Sequence, residues 1–360
     1  MKTISFARGV PSADLLPAQA IAAAAARALE RDPAGALSYG APEGYLPLRE
    51  WFASRYDVPV ERVLLTNGSL QGVALVIEHL FRTPPDGLAV VEAPTYDRTI
   101  LLLKRFGATV EALSLAPDGI DVEALERLCR SGRIPRALYV IPNFQNPAGV
   151  TTSRTKRERI VALAAEYGFI VIEDDPYHDV RFEGADEPTM LSMDRQSRVL
   201  HMTSMTKTVA PGVRIGALIL PPDLWGKIRT LANDTYIGPT HLAQVTVAEY
   251  VRAGSYEPGL AHVRARLRER RDAMVAALER HLGGRASYVR PSGGYFLWVR
   301  LPGVDTDQLA TAAEAAGVPF VRGSSCYPDG RGRDELRLAF SAVTPPDISA
   351  GIERLAALVP

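Results

Sequence analysis

The chain has 360 residues, 47% of them hydrophobic and 23% charged, which is enough apolar material for a large core with a smaller companion unit. Its 41 basic and 41 acidic residues cancel, so no bulk charge favours nucleic acid or an anionic membrane, and a small molecule is the expected partner. Cys129 and Cys326 stand far apart without metal-ligand spacing, so neither a disulfide framework nor a metal site is expected, and a reducing cytoplasm fits.

The start, MKTISFARGVP, lacks the apolar core of a signal peptide. The Ala-rich run from Ala18 to Leu29, interrupted by Gln19 and Arg27, is too short to span a bilayer and reads as an ordinary helix. In TNGSLQGVALVIEHLF, Leu70, Val73, Ile77, Leu80 and Phe81 mark one helical face, which puts Gly68 and Ser69 at a helix N-terminus. Free N–H groups there favour an anion such as phosphate, although Ser69 also serves as a plain N-cap. Short apolar runs follow: GLAVVEA, RALYVIP, FIVIEDD, RVLHMTS and GALILPP, with helical patterns such as ERIVALAAEYG between most of them. That alternation predicts an α/β fold with a mainly parallel sheet, whose ligands gather beyond the carboxyl ends of the strands. Four of those ends carry polar residues: Glu92 to Tyr96, Asn143 to Asn146, Asp174 to Tyr177 and Ser204 to Lys207. Beyond about residue 245 come long charged helices, then YFLWVRLP and ELRLAFS, which read as a second, smaller α/β layer.

Lys207 is the residue that needs a reason. It lies between RVLHM and VRIGALIL, both read as buried strands, and a buried ammonium is costly unless it is paired or its pKa is depressed so that the free amine serves as nucleophile or base. Glu173, Asp174 and Asp175 follow a buried strand and require a cation or strong donor, either a metal or the protonated ring nitrogen of a cofactor. PNFQNPAG, Pro142 to Gly149, is a turn offering Asn143, Gln145 and Asn146 as neutral donors. Arg214 follows Lys207 closely enough to hold a phosphate, and Arg337, among apolar neighbours, answers a carboxylate, either within the protein or on a substrate. A lysine nucleophile, a phosphate cradle, a ring-facing carboxylate and a carboxylate-binding arginine are together the requirements of pyridoxal-phosphate chemistry.

On these stretches the chain resembles the fold type I, class I/II aminotransferases, most closely the 2-aminoadipate-type subgroup. The similarity runs from ISFARGVPSADLLP through LSYGAPEGYLPLREW, TNGSLQGV, VEAPTYDR, IPNFQNPAGV, VIEDDPYHDVRFEG, SMTKTVAPGVRIG and PSGGYFLWVRLP to DELRLAFS. The resemblance implies a mainly parallel sheet sandwiched by helices in a large domain, residues 44–245, and a small domain built from residues 1–43 and 246–360. It implies that Lys207 forms the internal aldimine with pyridoxal phosphate and moves the proton between substrate Cα and cofactor C4′. Asp174 would meet the pyridine nitrogen, Asn146 and Tyr177 the 3-hydroxyl oxygen, and Tyr96 the ring face. Ser69 with the Leu70 amide, Ser204 and Arg214 would hold the phosphate, joined by Tyr39 from the neighbouring subunit of a homodimer. Arg337 would bind the substrate α-carboxylate, and Asn146 would also contact the substrate. Arg8 stands where the subgroup usually has glycine, and either meets a second substrate carboxylate or is an exposed terminal arginine. Tyr295 and Cys326-Tyr327 also depart from the pattern, near the expected substrate entrance.

The implied activity is transfer of an amino group from an L-amino acid to a 2-oxo acid through pyridoxamine phosphate. Elimination, cyclisation or oxidation on the same cofactor is the alternative, because the first proton abstraction is shared. Some transcription factors fuse a winged helix-turn-helix to an aminotransferase-like body; with the resemblance beginning at residue 4 and no net charge, an enzyme is expected instead.

Overall fold

A computed structural model of the chain describes residues 2–82, 84 and 86–360. Eight strands form one sheet: β1 (Val63–Thr66), β2 (Leu88–Ala93), β3 (Thr109–Ala116), β4 (Gly119–Ile120), β5 (Ala137–Val140), β6 (Ile170–Asp174), β7 (Val199–Ser204) and β8 (Gly216–Ile219). Their order across the sheet is β1-β8-β7-β6-β5-β2-β3-β4. The aliphatic runs recognised in the sequence are the central strands. β5 and β7 are buried along their whole length, as expected where helices cover both faces of a parallel sheet.

The pairs from β7 through β6, β5 and β2 to β3 are parallel, whereas β8 runs antiparallel to both its neighbours. The physical reason is the connection: residues 205–215 join β7 to β8 without a crossover helix, and a parallel pairing needs one. The consequence matters for the site. The carboxyl ends of β1, β2, β5, β6 and β7 share a rim with the first residue of β8.

The helix Ser69–Phe81 follows β1 and buries Val73, Ile77 and Phe81, but Leu70 is partly exposed because it sits in the first turn, at the rim rather than over the core. The helix Arg154–Tyr167 ends at Gly168, whose φ of 81° supplies the left-handed stop.

The second layer is an antiparallel sheet of β9 (Ser287–Tyr288), β10 (Phe296–Arg300), β11 (Val321–Arg322) and β12 (Glu335–Ala339), ordered β11-β12-β10-β9. The helices Tyr256–His281 and Pro345–Ala356 pack on each other beside it. The N-terminal segment is sewn to this layer by backbone hydrogen bonds, Ile4 N–H to Gly317 O at 2.7 Å and Ala339 N–H to Phe6 O at 2.8 Å. One contiguous apolar core runs through both layers, from Leu65, Leu138 and Ile172 to Leu297 and Leu338. Among the described residues no helix is long and apolar enough to cross a membrane.

Candidate active site

β7 and β8 pair Ser204 with Gly216, and the turn between them carries Lys207. Its Nζ donates to the Gly9 carbonyl at 2.6 Å and lies 5.0 Å from the centre of the Tyr295 ring. The Tyr295 hydroxyl donates to the Lys207 carbonyl at 2.8 Å, so the backbone of the lysine is tied down as well. Burial, then the positive charge of Arg337, push the Lys207 amine from 10.5 down to about 7. Of the two fates open to a buried lysine, the depressed pKa is the one realised.

The three consecutive carboxylates do not crowd one another, because a strand sends successive side chains to opposite faces. Glu173 accepts from the Met190 and Leu191 N–H groups at 2.7 and 3.1 Å and lies 2.8 Å from His201 Nδ1. Asp175 accepts from Asn143 Nδ2 at 2.8 Å, and although burial opposes it, His178 holds its carboxyl below the usual range. Asp174 alone points to the rim. Its Oδ2 accepts from the Tyr139 hydroxyl at 2.5 Å, while the buried Oδ1 has no partner among the described residues. Burial raises the Asp174 carboxyl to about 7, against the lowering effect of the Tyr139 hydrogen bond.

Next to this pair the first turn of the helix Ser69–Phe81 leaves the Ser69 and Leu70 N–H groups without intrahelical acceptors. Arg214 reaches the same corner and donates from Nη2 to Asn67 O at 3.1 Å. Two glycines make the corner possible. A Cβ on Gly68, whose φ is 86°, would sit 2.4 Å from Arg214 Nη2, and one on Gly216 would sit 2.4 Å from the Ser69 nitrogen. The Ser204 hydroxyl donates to Thr206 Oγ1 at 2.8 Å at the edge of this cradle.

From the small sheet, Arg337 donates from Nη1 to Asn146 Oδ1 at 2.8 Å and from Nη2 to the Ala7 carbonyl at 2.7 Å, and stacks 4.2 Å from the Phe296 ring centre. Among the described residues it forms no salt bridge, so the internal ion pair open at the level of sequence is not what holds it. Its buried Nε has no acceptor among the described residues, and each Nη keeps a second N–H, so this cavity-lining guanidinium retains donor capacity.

These groups line one cavity of about 250 Å³ that also takes in Tyr96 and Tyr177. Ten of the sequence-proposed residues meet there: Ser69, Leu70, Tyr96, Asn146, Asp174, Tyr177, Ser204, Lys207, Arg214 and Arg337. Arg8 is exposed and outside its lining, although the next residue, Gly9, belongs to it. Tyr39 also lies outside, 88% exposed. Cys326 is buried, and the hydroxyl of Tyr327 donates to Glu335 at 2.6 Å; neither lines the cavity. Sequence reading missed Gly9, Phe296 and Tyr139. For Tyr139 a signal existed, since a phenol within an aliphatic strand must find a hydrogen-bond partner.

The family model for class I and II aminotransferases matches residues 2–355. The chain belongs to that family. It is 34% identical to aromatic-amino-acid aminotransferase 1 of Thermococcus litoralis, over 98% of this chain and 87% of the relative, and 34% identical to 2-aminoadipate transaminase of Thermus thermophilus, over 98% and 89%. The crystal structure of Pyrococcus horikoshii kynurenine aminotransferase superimposes with a TM-score of 0.95 at 33% identity, covering all of this chain and 91% of that one. The fold is fold type I, and the chain is an aminotransferase dependent on pyridoxal phosphate. The cavity's chemistry fits that cofactor. A cationic cradle with free N–H groups suits a phosphate, a carboxylate with one unpartnered buried oxygen suits a ring N–H, and an amine that gives up its proton readily suits an aldehyde.

Proposed function

We propose that Lys207 is the residue that carries the cofactor and moves the proton, with the rest of the cavity arranged around it. The observation that carries this reading is the Lys207 amine, enclosed at the rim and pushed down to about 7, in the cavity that Asp174, with its unpartnered Oδ1, also lines. When bound, pyridoxal phosphate supplies an electron-withdrawing ring that acidifies the Cα–H bond of an attached amino acid. Lys207 Nζ takes that proton and returns it. Asp174 Oδ1 accepts the ring N–H and keeps the nitrogen charged. Ser69 and Leu70 N–H groups, Ser204 and Arg214 hold the phosphate; Asn146 and Tyr177 hold the 3-hydroxyl oxygen, and Tyr96 covers the ring face. Arg337, held by Asn146 and Ala7, turns its remaining donor capacity to the substrate α-carboxylate.

The active form on this reading is a homodimer. Leu37, Tyr39 and Ile237 are strongly exposed, and the stretches that carry them meet, with the Gly40 carbonyl against Gly238. That apolar face abuts the phosphate cradle, since Asn67 Oδ1 accepts from the Thr240 N–H and hydroxyl at 2.8 and 2.9 Å. A two-fold partner laid on it would bring its own Tyr39 to the cradle. The chain divides into a large domain of residues 44–245 and a small one of 1–43 and 246–360, with the cavity between them. Arg8, exposed and outside the cavity lining, is on this reading an exposed terminal arginine rather than a ligand for a second substrate carboxylate. Two buried, unbridged cysteines support a cytoplasmic setting.

The test is the visible absorption of the purified protein with pyridoxal phosphate. One class of L-amino acid, added alone, bleaches the band, and 2-oxoglutarate or another 2-oxo acid restores it. The same band and the same bleaching in Lys207→Ala would overturn the proposal.

A further inference from the structure

The geometry points to Tyr139 as a positioning residue that governs where the proton sits at the cofactor's ring nitrogen, acting through Asp174. The inference rests on Asp174 being the carboxylate that meets that nitrogen. Tyr139 lies in β5, whose other members are Ala137, Leu138 and Val140, and it is buried. Its hydroxyl reaches across to β6 and donates to Asp174 Oδ2 at 2.5 Å. Burial, followed by the charge of Asp174, keeps the phenol well above its ordinary pKa, so it remains a donor.

Two consequences follow. With Oδ2 committed, the carboxylate of this cavity-lining residue is held in one orientation and Oδ1 is the oxygen left without a partner among the described residues. The donated hydrogen bond also favours the ionised carboxylate, because it stabilises the charge and not the neutral acid. The other groups facing Asp174 act at longer range: Asp175 just past the end of β6, Glu92 from β2, His201 from β7, Lys207 from the following turn, and Tyr96 and Tyr177 at the cavity wall. Among the described residues only Tyr139 hydrogen-bonds to the Asp174 side chain. Remove that hydroxyl and the ionised carboxylate loses its one donor. The ring N–H bond then breaks as an Asp174 O–H bond forms, and a neutral pair replaces the ion pair with no change in electron count.

The experiment is ¹⁵N NMR of the holoenzyme carrying pyridoxal phosphate labelled at the ring nitrogen, together with the cofactor dissociation constant. Tyr139→Phe is expected to move the nitrogen signal toward that of unprotonated pyridine and to weaken cofactor binding roughly tenfold to hundredfold, the range for a hydrogen bond to a buried charge. In an Asp174→Asn background, Tyr139→Phe is expected to add nothing to either readout. A wild-type nitrogen signal in Tyr139→Phe overturns the proposal, as does an equal loss of affinity in both backgrounds, which would make Tyr139 a packing residue only. If Asp174→Asn itself leaves signal and affinity unchanged, the assignment of Asp174 fails and this inference fails with it, a result distinct from the first two. Site-specific 3-fluorotyrosine at 139 keeps the shape and strengthens the donor; a shift in the direction of the Phe variant overturns the proposal without any question of folding.

Discussion

Lys207, on a turn of the large sheet, donates a hydrogen bond to the carbonyl of Gly9, in the segment sewn to the small sheet, across 2.6 Å. The amine is thus oriented from both layers before any ligand arrives, and its proton is loosely held. Replacing it removes base and carrier together. Lys207→Ala is expected to lower turnover by at least the roughly 100-fold to 10,000-fold attributed to a positioned base, and to abolish the characteristic visible band of the bound cofactor. A rate equal to the parent's, measured by amino-group transfer, would remove the lysine from the mechanism.

The same amine makes stability depend on pH. Lys207 falls from 10.5 unfolded to about 7 folded, so between those values the unfolded chain binds a proton that the folded chain does not, and stability rises with pH. Asp174 moves from 3.8 to about 7, so below 7 the folded chain holds the extra proton and stability falls as pH rises toward 7. The cofactor-free protein should therefore show a local minimum in these contributions near neutrality. Urea unfolding of the cofactor-free parent and Lys207→Met from pH 5 to 10 checks this. The parent should gain on the variant above pH 7, by up to about 1.4 kcal/mol per unit.

Arg337 separates substrate from cofactor. Its two paired nitrogens are spent on Asn146 and Ala7. Arg337→Gln should raise KM for the amino donor roughly tenfold to hundredfold, as for loss of a charged hydrogen bond, with little change in the cofactor dissociation constant. Equal losses in both would reassign this arginine to the cofactor.

Gly216 approaches the helix N-terminus so closely that a methyl group there would lie 2.4 Å from the Ser69 nitrogen and 2.6 Å from the Gly68 carbonyl carbon. Both are backbone atoms that yield only by moving the cradle. Gly216→Ala should cost about 1–3 kcal/mol in unfolding free energy and weaken cofactor binding in parallel. Gly212→Ala, in open space on the same connection, is the control and should change neither by much.

Tyr39 and Leu37 test the second copy. Leu37→Glu, which charges an exposed apolar face, should shift sedimentation toward the monomer and weaken cofactor binding. Tyr39→Phe should weaken cofactor binding while leaving the sedimentation of the parent unchanged. If Leu37→Glu is monomeric and binds the cofactor as tightly as the parent, no partner residue reaches the cradle.

Periodicity and turn chemistry in the chain pointed to an α/β fold and to the polar strand ends that line the cavity, while the role of each residue there was implied by the family resemblance. The aliphatic runs ending in polar residues mark parallel strands because burial on both faces leaves no alternation, and their polar ends have nowhere to go but the rim. Asn146, Asp174, Ser204 and Lys207 fell within those ends for that reason, Ser69 was read from the start of a helix and Arg214 from its spacing to Lys207. What sequence left open was which way each group faces. It did not show that Glu173 and Asp175 turn away from the cavity to their own partners while Asp174 alone reaches it, that β8 reverses direction, or that Arg337 is held by an amide and a carbonyl rather than by a carboxylate. Nor did it show Gly9 or Tyr139. Their parts depend on contacts between segments as distant as residues 9 and 207, and 139 and 174. Local pattern is set by neighbours along the chain. The protonation of a buried lysine and aspartate, by contrast, is set by whatever the fold packs within a few ångströms of them.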